Sequence, residues 1–98
     1  MKRLVVTRTA ERDLREIARY SETKWGAGQK TRYLDALAAL MRRLCEQPSL
    51  GLPREEIAPG CRSIASQQHV LFYKDLPETV QILRVLHGNM DFRRHRPE

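Results

Sequence analysis

Two cysteines, 6% aromatic residues and no long apolar run set the first limits on this 98-residue chain. Cys45 and Cys61 lack CxxC or Cys/His ligand spacing, which excludes a disulfide scaffold and a cysteine-based zinc site; both are expected to be reduced and partly buried. The longest wholly apolar run, Ala36 to Met41, falls far short of the ~20 residues a membrane span needs. After Met1-Lys2-Arg3 only Leu4-Val5-Val6 are apolar, so no secretory leader is expected and the chain is placed in the cytoplasm. Repeats, low-complexity tracts and linkers are absent too. The expectation is one domain over residues 1–98, with chain enough for one core.

What is abundant is positive charge. Net charge is +6, and arginine far outnumbers lysine. Such a surface suits nucleic acid, an acidic protein partner, or both. The charge gathers at the end of the chain: Val80 to His87 runs into Gly88-Asn-Met90-Asp91 and then Arg93-Arg94-His95-Arg96. A strand that ends in Arg and His ahead of a cationic tail puts charge at the rim of the fold.

Hydrophobic periodicity orders the rest. Residues 3 to 8 read as a strand rich in β-branched side chains. Thr9 can cap a helix with Glu11 in its first turn. Ala10, Leu14, Ile17, Ala18 and Ser21 repeat at helical spacing, leaving Glu11, Arg12, Arg15, Glu16 and Arg19 outside. Trp25-Gly26-Ala27-Gly28 stops that helix and turns the chain, and Trp25 is expected to pack where the helix pair meets the sheet.

A second helix follows over Gln29 to Glu46, with Tyr33, Leu37, Leu40, Met41 and Leu44 as its stripe. So short a turn makes the two helices an antiparallel hairpin. Gln47-Pro48 ends the second helix, and Ser49 to Pro59 reads as a loop. Cys61 to Ser66, His69 to Lys74 and Val80 to His87 read as three strands. The order βααβββ predicts an α+β fold: a curved antiparallel sheet, the first strand added to it, and the helical hairpin on one face.

With that order in place, the residues resemble the ParE toxins of type II toxin–antitoxin systems, within the RelE/ParE superfamily. The resemblance is carried by Asp13-Leu14-x-x-Ile17-x-x-Tyr20-Ser21, Trp25-Gly26-x-x-Gln29, Tyr33 and Pro48-x-x-Gly51. It continues through Gly60-x-Arg62, His69-Val-x-Phe72-Tyr73, and Ile82-x-Arg84-Val85-Leu86-His87 before Met90-Asp91. None of these is strong alone; their order and spacing across nearly the whole chain make them specific. The resemblance implies a toxin neutralised by a small antitoxin. Its ParE branch implies inhibition of DNA gyrase by trapping the cleaved-DNA complex, and its RelE branch implies mRNA cleavage on the ribosome.

Metal-independent RNA cleavage needs a group to activate the 2′-hydroxyl, an acid for the leaving oxygen and cations for the phosphate. RelE-type enzymes carry an arginine early in the penultimate strand and commonly a tyrosine near the C-terminus. Here His69 or Val70 takes the first position, and no tyrosine follows Tyr73. Arg62, His69, Arg84 and His87 form a crude substitute set. Arg84 and His87 stand three apart, however, and so face opposite sides of a regular strand. An ion pair from Arg62 or Arg84 to Asp13 or Glu16 is the plainer reading of those arginines, and a hydrogen bond at the strand end is that of His87. Of Phe72 and Tyr73, on opposite faces, at least one belongs in the core.

The expectation is therefore a gyrase inhibitor without catalysis of its own, needing no cofactor and no metal. Arg62, Arg84, His87, Arg93 and Arg94 are the candidate target-binding residues. Leu34, Ala38, Met41 and Cys45 widen the apolar face of the second helix and are the candidate antitoxin-binding residues; an acidic, amphipathic antitoxin segment would fold onto them. Partners are then the antitoxin and gyrase, with DNA met through the gyrase complex or an antitoxin-bound operator, and no membrane. A dimer, or a heterotetramer with the antitoxin, is the expected assembly. The competing readings are a RelE-type mRNA endonuclease and a non-toxic corepressor of the same fold.

Overall fold

A computed structural model describes residues 1–88. The chain opens with strand β1 (Arg3–Val6), followed by helices α1 (Arg8–Trp25) and α2 (Ala27–Glu46). A short 3-10 turn at Pro48–Leu50 leads to β2 (Leu52–Pro53), β3 (Cys61–Ser66), β4 (His69–Asp75) and β5 (Thr79–His87). The sheet order is β1-β5-β4-β3-β2. The α+β class and the helical hairpin stand as read from the sequence.

Three local expectations are corrected. The sheet is mixed: β1 runs parallel to β5, from Arg3↔Thr79 to Val6↔Ile82, while the other pairs are antiparallel. Side-chain alternation has the same period in either direction, so it could not supply strand polarity. The predicted loop contains β2, a two-residue edge strand whose Pro53 gives no alternation to detect. The first strand also ends at Val6, and the helix cap is Thr7 rather than Thr9. Thr7 accepts the Ala10 N–H at 3.2 Å, while its hydroxyl donates to Ile82 O at 2.9 Å. One side chain thus starts α1 and ties it to β5.

Gly26 lets the two helices meet with a single residue between them. Its φ of 88° is open to glycine and strained for other residues. Its N–H closes α1 on Glu22 O, and its carbonyl accepts the Lys30 N–H that begins α2. At the other hairpin, Gln67 takes φ 55° so that Ser66 and His69 pair across a two-residue turn.

The core lies between the hairpin and one face of the sheet. Ile17, Tyr33, Leu37, Met41 and Leu44 pack against Leu71, Tyr73, Val80, Ile82 and Val85. Tyr73 is fully buried; Phe72 is half-buried. The Tyr73 hydroxyl donates to Pro48 O at 2.7 Å and accepts the Gly51 N–H at 2.9 Å. A methyl at Gly51 would sit 2.6 Å from that hydroxyl, so this close approach requires glycine. Among the described residues no helix is long and apolar enough to cross a membrane.

Candidate functional site

β1 covers the edge of β5 only as far as Ile82. Beyond it the Val85 N–H would be left without a strand partner, and Asp13, two turns into α1, supplies one at 2.9 Å. The same carboxylate receives a two-pronged contact from Arg84. Nε donates to Oδ2 and Nη2 to Oδ1, each at 2.8 Å. Both side chains are largely buried, with 14% of Arg84 and 10% of Asp13 exposed. The carboxylate therefore closes an open sheet edge and neutralises the arginine beside it. Of the two acidic partners anticipated for Arg84, the fold selects Asp13.

His69 and His87 sit directly opposite each other on β4 and β5, with ring centroids 5.6 Å apart. The hydroxyl of Tyr33, from α2, meets His69 Nδ1 and also accepts the Gln68 N–H. Burial raises the Tyr33 pKa, so its hydroxyl keeps its proton. Burial lowers the His69 pKa and the neighbouring His87 lowers it further, with Asp13 opposing. Both effects favour the neutral imidazole of His69, which stays in hydrogen-bond contact with the tyrosine.

His69, Arg84 and His87 line one cleft of about 520 Å³, together with Glu16, Tyr20 and Trp25. Arg84 and His87 stand three apart in unbroken register with β4, yet both border this cleft at the end of β5. The irregularity of β5 lies before them: Ile82 pairs with Tyr73 but Arg84 pairs with Phe72, so Leu83 is an extra residue. Arg62 stands outside this cleft, its Nη1 donating to Gly51 O at 2.8 Å. Arg93 and Arg94 lie outside the described residues.

Trp25 is not buried at the helix–sheet junction. It is 39% exposed and stands edge-on to Tyr20 with centroids 5.9 Å apart. The Lys24 ammonium lies over both rings, 5.4 Å from Tyr20 and 5.6 Å from Trp25. Placed at the last turn of α1, the indole reaches the cleft rim rather than the core. Asp13 was anticipated in the sequence as an ion-pair partner of Arg84; what was missed is its second role, closing the Val85 edge. Its one signal was a carboxylate in phase with Ala10, Ile17 and Ser21, the buried face of α1.

A second, apolar groove of about 360 Å³ runs between the helices, bordered by Leu14, Ala18, Leu34, Ala38 and Met41, with Arg15 at its rim. Leu34 and Ala38 are half-buried there, and Met41 is 4% exposed. Cys45 is corrected: it is buried and does not border the groove. It belongs to the last turn of α2, which lies against the start of the chain where Lys2 N–H donates to Cys45 O. Burial raises the pKa of both thiols, keeping them protonated. Among the described residues no three His, Cys, Asp or Glu side chains are placed to hold a metal ion.

Comparison with known proteins places this arrangement. The family described as "ParE toxin of type II toxin-antitoxin system, parDE" matches residues 4–92. The chain is 40% identical over 95 residues to Toxin ParE1 of Caulobacter vibrioides, covering 97% of this chain and 98% of that protein. It is 34% identical over 94 residues to Toxin ParE1 of Mycobacterium tuberculosis, covering 95% and 96% respectively. Among solved structures, a chain of a chromosomal ParDE toxin–antitoxin system from P. aeruginosa superposes with a TM-score of 0.75. At 22% identity, over 89% of this chain and 96% of that one, it shows the shared fold.

Proposed function

The chain belongs to the ParE toxin family of type II toxin–antitoxin systems, and from that premise we propose that it inhibits DNA gyrase by binding and is neutralised by a cognate antitoxin. The observation that carries the non-catalytic reading is the fate of Arg84. An arginine that clamps a scissile phosphate must keep its guanidinium available, whereas this one is held on both prongs by Asp13. We assign Arg84 to positioning the end of β5. Arg62, His87, Arg93 and Arg94 are left as the proposed target contacts, trapping gyrase on cleaved DNA in the cytoplasm.

The groove between α1 and α2 is the proposed seat of the antitoxin. Its apolar walls at Leu34 and Ala38 suit one face of an amphipathic helix. Purified protein added to gyrase and supercoiled DNA should accumulate trapped double-strand breaks, and prior addition of the antitoxin should abolish them. The convergence of His69, Arg84 and His87 in one cleft favours the endonuclease as the second reading. A translation extract separates the two. Cleaved transcripts that disappear in Arg84→Ala/His87→Ala, without any gyrase effect, would replace gyrase inhibition by mRNA cleavage.

A further inference from the structure

The outward side of α1 carries Arg8, Arg12, Arg15 and Arg19, all exposed. At 3.6 residues per turn these positions fall within an arc of about 60°, strung along about 16 Å of helix. The arc lies opposite the buried Ala10, Asp13, Ile17 and Ser21, so the four side chains stand as a ridge facing solvent. Glu11, Glu16 and Glu22 flank it. Even so, none of the four arginines makes an ion pair or a side-chain hydrogen bond among the described residues.

We propose that this ridge is a nucleic-acid backbone contact through which the toxin itself holds duplex DNA by its phosphates, without reading sequence and without gyrase. Guanidinium groups match phosphate oxygens in paired geometry, and four in line present that match repeatedly. Duplex DNA carries one charge per about 1.7 Å of axis, so the ridge has phosphates to meet along its whole length. A protein partner would be anchored by a desolvated apolar or aromatic side chain, and the arc contains none. A single strand would be held on stacking aromatics. The exposed Tyr20 and Trp25 border the cleft instead. A stiff, uniformly charged duplex is the occupant that needs only what the ridge has.

The test is fluorescence anisotropy of a labelled mixed-sequence duplex titrated with the full-length chain between about 50 and 200 mM salt. The slope of log K against log salt should lose about 0.9 for each phosphate contact removed, so Arg12→Gln/Arg19→Gln should flatten it by about 1.8. Glu16→Gln, which removes a flanking negative charge, should tighten binding. These exposed substitutions leave the core untouched, and the fluorescence of Trp25, the sole tryptophan, checks the fold. The control is Arg42→Gln/Arg43→Gln on α2; an equal flattening there would mean diffuse charge and overturn the assignment. Unchanged DNA binding in the ridge variant, with antitoxin affinity lost instead, would give the ridge to a protein partner. Gyrase trapping is scored in parallel, so absent DNA binding with trapping intact overturns this proposal alone.

Discussion

Asp13 does three jobs with two oxygens: it caps the Val85 N–H, receives both prongs of Arg84 and holds α1 against β5. Removing one member of a buried pair costs more than the pair is worth, because the other charge stays desolvated. Asp13→Ala should therefore lower unfolding free energy by about 3–5 kcal/mol in urea titrations, a large part of the ~5–15 kcal/mol a domain holds. Arg84→Met, which leaves Asp13 its backbone donor, should cost less. Equal losses would mean that the Val85 contact adds nothing. His69 gives the residue scale its pH dependence. Its folded pKa lies below the ordinary histidine value of about 6.5, chiefly through burial. The unfolded chain thus binds the proton more readily, so this contribution is complete above about 6.5 and is lost as pH falls through the folded value. Stability should drop on acidification from about pH 7.5 to 5, and His69→Gln should flatten that part of the profile measured by thermal unfolding.

At the scale of elements, what was legible in the sequence was whatever has a period. Tyr33, Leu37, Met41 and Leu44 recur at helical spacing and all are buried, so α2 was readable to within two residues of its start. Strand direction and the bulge at Leu83 have no such signature, since both arise from how distant segments pair. The start of α1 shows the same limit. Thr7 and Thr9 are equally good caps by residue type, and the choice falls to the one whose hydroxyl also finds Ile82 O on a strand 75 residues away. Because that hydroxyl serves a helix and a sheet at once, Thr7→Ala should cost more than the ~1 kcal/mol of an ordinary cap. Thr9→Ala should be close to neutral. Chemical denaturation of the two variants side by side checks this, and similar losses would show that the Ile82 contact contributes nothing.

For the whole molecule, cleft and groove lie on either side of α1, and its third exposed side is the arginine ridge. The sequence announced a cationic protein with a wide apolar second helix, but not this partition, because the faces of α1 are defined only once β5 and α2 have packed against it. The partition decides which substitution tests antitoxin binding cleanly. Met41 borders the groove yet is 4% exposed, so Met41→Ala would open a cavity and cost about 2–5 kcal/mol, confusing lost binding with lost fold. Leu34 is half-buried at the same groove, and a charge placed there meets water in the free toxin but an apolar helix face in the complex. Leu34→Asp should accordingly lower the thermal midpoint less than Met41→Ala does while weakening antitoxin binding by at least about tenfold, a loss of about 1.4 kcal/mol. Calorimetric titration of antitoxin into both proteins measures it. Because the gyrase contacts are assigned to other faces, the same variant should still trap gyrase on DNA and should do so in the presence of antitoxin. A variant that binds antitoxin as tightly as the parent would move the antitoxin away from this groove.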